Sequence, residues 1–102
     1  LTVPEVPSGY TSAWAQYSVL APDAHSRESF LAALRAAGIP SAIYYPTPLH
    51  LQPAYRFLGY SSGDFPVSEA CAQRIFSLPM HPYLTVEQQE QITAVLCSVK
   101  VP

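Results

Sequence analysis

Tyr44-Tyr45-Pro46-Thr47-Pro48-Leu49-His50-Leu51-Gln52 is the stretch that decides how the rest of the chain is arranged. The residues leading into it, Ser41 to Tyr45, read as a short strand, and the prolines that follow remove amide donors a ladder needs, so the chain must leave the sheet there. Proline also holds φ near about −65° and biases the residue before it to extended geometry, which leaves Tyr45 and Thr47 little freedom. The product is a stiff lip bearing phenols, an imidazole and a carboxamide. Two readings fit it. One is the plain finish of a strand, since tyrosines and alternating prolines are common at sheet ends; the other is half of a binding surface, ordered before any ligand arrives.

Upstream, Leu1 to Ser12 contains Pro4, Pro7 and Gly9, a composition suited to an extended linker, and the start at Leu1 without Met fits a longer polypeptide. Trp14 to Leu20 alternates, with Ala15, Tyr17 and Val19 on one face and Gln16 and Ser18 on the other, as a strand with one buried face does. Pro22 and Asp23 turn the chain, and Ser26 is placed to cap a helix with Phe30, Leu31, Leu34 and Ala37 as its apolar stripe; Gly38, Ile39 and Pro40 stop it.

Downstream of the lip, Pro53 to Leu58 predicts one or two helical turns ended by Gly59. Asp64 is placed to cap a helix in which Pro66 wastes no amide and Val67, Cys71 and Ile75 share a stripe. Phe76-Ser77-Leu78 reads as a brief strand stopped by Pro79. After the proline-braced turn Met80 to Leu84, Thr85 and Gln88 form a capping box, and Ile92, Val95, Leu96 and Val99 follow at helical spacing. A small sheet of three or four strands with helices against it buries these stripes most simply, an α+β or two-layer α/β arrangement. Periodicity leaves the strand directions open.

The chain has 102 residues, which is one domain whose folding buries roughly two thirds of its unfolded surface. Its 49% hydrophobic and 12% charged content is apolar for a free surface, so an exposed patch that belongs against a partner is expected, and with it self-association. Net charge is −2 and the basic residues Arg27, Arg35, Arg56, Arg74 and Lys100 stand singly, which argues against nucleic acid as a partner. Cys71 and Cys97 read as buried structural thiols in a reducing compartment. No secretory signal pattern and no apolar run long enough for a membrane span is present.

The chemistry-bearing residues do not assemble a reaction centre from spacing. His25, His50 and His81 are singletons rather than a ligand pair, there is no Gly-x-Ser-x-Gly elbow, and the glycines are too far apart to form a phosphate loop. A thiol inside a helix with no cationic neighbour is a poor nucleophile. His81 reads as packing for its turn, and Trp14 and Tyr17 as core or interface residues.

Taken in order, Ser12-Ala13-Trp14-Ala15-Gln16-Tyr17, the helix end Ala37-Gly38-Ile39-Pro40, the lip, Gly63-Asp64-Phe65-Pro66 and Ser77-Leu78-Pro79-Met80-His81-Pro82 resemble the C-terminal small domain of the DegT/DnrJ/EryC1/StrS family of pyridoxal-phosphate-dependent nucleotide-sugar aminotransferases. The resemblance runs from Ser12 to Val99. It implies a linker at residues 1–11 and a small domain at 12–102, with a mostly antiparallel sheet, closing over an N-terminal large domain that carries the Schiff-base lysine and most contacts to pyridoxal 5'-phosphate. The sole lysine here, Lys100, does not occupy a catalytic place, so the fragment alone is expected to be inactive. The resemblance further implies substrate contact for Tyr44, Tyr45 and His50, with Gln52 as a further candidate; Tyr44 stands where the family often has histidine.

The implied reaction moves an amino group from glutamate to a keto group of a UDP- or dTDP-linked hexose, a 3-keto uronic acid among them, for polysaccharide or O-antigen synthesis. A cytoplasmic homodimer is the implied setting. Two rivals stand beside the enzyme reading: a non-catalytic sensor or association module of the same architecture, and a stable proteolytic remnant. An upstream reading frame encoding a Schiff-base lysine separates the first from the second, and intact mass decides the third.

Overall fold

The computed structural model describes residues 1–101, so Pro102, the last residue of the expected small domain, lies outside it. In chain order the elements are β1 (Tyr17–Leu20), α1 (Ala24–Ala36), 3-10 turns at Leu49–Leu51 and Pro53–Leu58, α2 (Pro66–Arg74), β2 (Ile75–Leu78) and α3 (Val86–Ser98). The expected α+β fold is present, with helices against a small antiparallel sheet. β1 and β2 pair with Tyr17 opposite Leu78 and Val19 opposite Phe76.

Only these two strands form among the described residues, and single antiparallel bridges extend each edge. Thr2 pairs with Leu20 on one side and Ala42 with Ser77 on the other. The strand expected at Ser41 to Tyr45 thus shrinks to one bridged residue, since Pro40 and Pro46 bracket it and Tyr44 and Tyr45 turn out to solvent. The segment expected as a linker is tied to β1 at Thr2, whose amide donates to the Leu20 carbonyl at 2.8 Å.

Because side chains alternate along a strand, Tyr17, Val19, Phe76 and Leu78 share one face of the sheet. Val19 and Phe76 there join Phe30, Leu31 and Leu34 of α1 and Ile92 of α3 in the core, with Phe30 and Phe76 stacked at 5.9 Å. On the other face the Ser18 and Ser77 hydroxyls hydrogen-bond across the strands at 2.8 Å, which satisfies the buried Ser77 hydroxyl.

α1 is capped by Asp23 rather than Ser26: the Asp23 carboxylate accepts the Ser26 amide at 2.7 Å, and Ser26 itself is buried. The Ser26 amide holds the Asp23 carboxyl below the usual carboxylate range. The helix ends in a Schellman motif. The Gly38 amide donates to the Arg35 carbonyl and the Ile39 amide to the Leu34 carbonyl, a geometry that needs the positive φ of 70° at Gly38. α3 opens with the capping box expected at Thr85 and Gln88.

Three expectations on the helices are corrected. Val67 is exposed, the buried residue of α2 being Ala72, and Ile75 belongs to β2. Cys97 is exposed and Cys71 half-buried, both as free thiols; Cys97 lies about 140° round α3 from buried Ile92 at about 100° per residue. Asp64 does not cap α2 and accepts the Ser61 amide at 2.8 Å to close the turn before it. Two arginines brace α2 to α1 and to the turn before α1: Arg27 Nη1 donates to the Ala72 carbonyl at 2.9 Å, and Arg74 Nη1 to the Pro22 carbonyl at 3.2 Å.

Candidate functional site

Ile43 packs on the core and anchors the lip at its start, after which the chain turns outward. Tyr44 is 43% exposed and Tyr45 70%, their rings meeting edge to face at 6.1 Å. The Gln52 amide nitrogen donates to the Thr47 carbonyl at 3.2 Å and closes the lip into a loop, leaving its carbonyl oxygen as the free acceptor. Tyr44, Tyr45 and Gln52 line one open hollow of about 260 Å³, whose floor is Cys71 and Ala72 of α2 and Ile75 of β2.

His50 lies apart from them. The turn at Leu49–Leu51 carries it into a second, adjoining and largely apolar hollow of about 320 Å³, lined also by Leu49, Tyr55, Leu58, Tyr60 and Phe65. Its side chain is only 7% exposed, and Nε2 lies 2.9 Å from Glu69 Oε1. The ring leans on Phe65 at 4.7 Å, and Phe65 meets Tyr60 edge to face at 5.0 Å. The four residues expected to touch substrate are therefore divided, three around one hollow and one facing inward beside another.

Glu69 is the residue that sequence reasoning missed. Its carboxylate accepts from the Gly63 amide at 2.9 and 3.0 Å, from the Ser62 hydroxyl at 3.1 Å and from the Phe65 amide at 3.4 Å, besides His50. The Gly63 amide first, then the His50 ring, hold its carboxyl below the usual carboxylate range against the opposing effect of burial. The signal for it was a carboxylate in the first turn of a helix with no capping side chain at Phe65, where the positive dipole end favours negative charge.

His81 uses Nδ1 to accept the Tyr83 amide at 3.2 Å, and the Trp14 and Tyr17 rings lie 5.1 Å apart beside the same turn. Lys100 is exposed beyond the end of α3. Among the described residues no group of three His, Cys, Asp or Glu side chains could hold a metal ion, and no helix is long and apolar enough to cross a membrane.

Over 92 residues the chain is 39% identical to a pleiotropic regulatory protein of Geobacillus stearothermophilus, covering 90% of this chain and 24% of that one. It is 42% identical over 85 residues to the UDP-2-acetamido-2-deoxy-3-oxo-D-glucuronate aminotransferase of Pseudomonas aeruginosa, covering 83% of this chain and 22% of that enzyme. The crystal structure of a DegT DnrJ EryC1 StrS aminotransferase from Brucella abortus superposes with a TM-score of 0.82 at 51% identity, covering 94% of this chain and 25% of that chain. The chain thus spans about a quarter of the length of the relatives it matches. With the family match running over residues 1–97, on the same elements that carry the lip and its supports, the chain belongs to the DegT/DnrJ/EryC1/StrS aminotransferase family.

Proposed function

We propose that this chain is the C-terminal small domain of a sugar-nucleotide aminotransferase and that its lip forms one wall of the sugar site. The observation that carries the reading is the pair Tyr44 and Tyr45, exposed on a braced lip over an open hollow. Phenol hydroxyls both donate and accept hydrogen bonds from rings with few rotatable bonds, so they meet sugar hydroxyls, a carboxylate or a pyrophosphate at low entropic cost. Gln52 adds a carbonyl acceptor on the same side. His50 reaches a ligand through Nδ1, since Nε2 is taken by Glu69.

In this reading glutamate is the amino donor and the acceptor is a keto group on a UDP- or dTDP-linked hexose. The similarity to the Pseudomonas aeruginosa enzyme supports a 3-keto uronic acid; a cytoplasmic homodimer working in surface-polysaccharide synthesis is the setting this reading takes. Pyridoxal 5'-phosphate, which carries the amino group in such reactions, has no seat made by these residues. The sole lysine is exposed past α3, and the lip holds neither lysine nor arginine to meet a phosphate. The cofactor's attachment belongs to the large N-terminal portion of the parent protein, and this chain contributes the substrate wall.

A regulatory reading draws on the name of the Geobacillus stearothermophilus relative. The test is Tyr45→Phe in the parent enzyme. Losing one hydroxyl contact worth about 0.5–1.5 kcal/mol should lower kcat/KM for the sugar nucleotide roughly two- to tenfold with the cofactor's absorbance band unchanged. Loss of that band refutes the assignment to substrate, and a parent that binds a nucleotide sugar without turning it over supports the regulatory reading.

A further inference from the structure

Glu69 gathers donors from two separate parts of the chain. From the lip it accepts His50 Nε2 at 2.9 Å, and from the turn before α2 it accepts the Ser62 hydroxyl and the amides of Gly63 and Phe65. The turn can aim its amide there because Gly63 adopts a positive φ of 96°, a region that L side chains rarely enter. A carboxylate only accepts hydrogen bonds, so Nε2 carries the proton that meets it, and Nδ1 is the ring nitrogen left for a ligand. Phe65 against the imidazole and Tyr60 against Phe65 fix the plane of that ring.

We propose that Glu69 is a positioning residue for the sugar site: through Nε2 it sets the tautomer and direction of His50, and through Gly63 it makes the lip and the Ser62 to Phe65 turn one body. The inference rests on the reading of the lip as a sugar wall. His50 then offers Nδ1 to the hollow that it lines, where a sugar hydroxyl, able both to donate and to accept, can meet it. His50 and the aromatic hollow thus serve a hydroxyl-bearing part of the substrate, while the phenols of Tyr44 and Tyr45 in the adjoining hollow are free to donate to its charged groups.

The experiment uses the full-length enzyme and measures its two half-reactions separately, glutamate in one and nucleotide sugar in the other. Glu69→Ala should lower kcat/KM for the nucleotide sugar about ten- to a hundredfold, the scale of a misplaced contact, with the glutamate half-reaction held within about twofold. Most of that loss should vanish in a His50→Ala background, because both changes act on one ring. Glu69→Gln keeps the shape and one acceptor oxygen, so it should show the same selectivity at smaller size, and it serves if the alanine variant does not fold. Additive losses in the double variant, or equal losses in both half-reactions, overturn the proposal while leaving the sugar wall standing. A wild-type enzyme that turns over no nucleotide sugar overturns both.

Discussion

Phe76 and Phe57 are chemically identical, and the fold gives them opposite roles that denaturation should expose. Phe76 is 0% exposed in the centre of β2 and stacked on Phe30, whereas Phe57 is 81% exposed on the turn that follows the lip. Phe76→Ala removes a wholly buried ring, so it loses both the transfer free energy and the contacts around the cavity left behind, about 3–5 kcal/mol in all. Phe57→Ala takes nothing out of a packed environment and should stay within about 0.5 kcal/mol. A chain of this size has about 5–15 kcal/mol in hand, so the first change consumes a large share of it. With a urea slope of about 2 kcal/mol/M, the midpoint should move down by about 2 M for Phe76→Ala and hardly at all for Phe57→Ala. Circular dichroism at matched concentrations reads both. Equal shifts for the two variants would refute the assignment of the core to the face of β1 and β2 that carries α1 and α3.

Thr85→Ala removes one half of the capping box on α3 and should cost about 1 kcal/mol, measured by the same titration; no change would mean that Gln88 holds the helix start alone. Glu69 should also give the turn before α2 a pH dependence. Its folded carboxyl lies below the ordinary range, so its stabilising effect is complete above the usual glutamate pKa and is lost as pH falls through the folded value. The Gly63 and Phe65 amides should then exchange with solvent faster, relative to their intrinsic rates, at acid pH in the wild type but not in Glu69→Gln, and pH-independent protection in the wild type would contradict this.

The helices were legible where apolar spacing and a stop signal coincide. Phe30, Leu31 and Leu34 followed by Gly38 located α1, and Thr85 with Gln88 located the start of α3. Ser26 reads as the cap of α1 because Asp23 and Ser26 are both good cap residues three positions apart, and only the buried position of Ser26 decides for Asp23. Ser41 to Tyr45 reads as a longer strand than forms, since β-prone residues say nothing of a partner and only Ala42 of the five has one. Of the candidate site, the outward tyrosines follow from the prolines, while the inward turn of His50 depends on a carboxylate nineteen residues away, a pairing that no local pattern announces.

The two arginine braces that tie α2 to α1 and to the turn before α1 end on neutral carbonyls, at Ala72 and at Pro22. Acid therefore leaves both acceptors intact, and added salt weakens them less than it would a pair of opposite charges. On acidification the glycine turn beside the imidazole should loosen as its carboxylate is lost, while these two ties keep their acceptors.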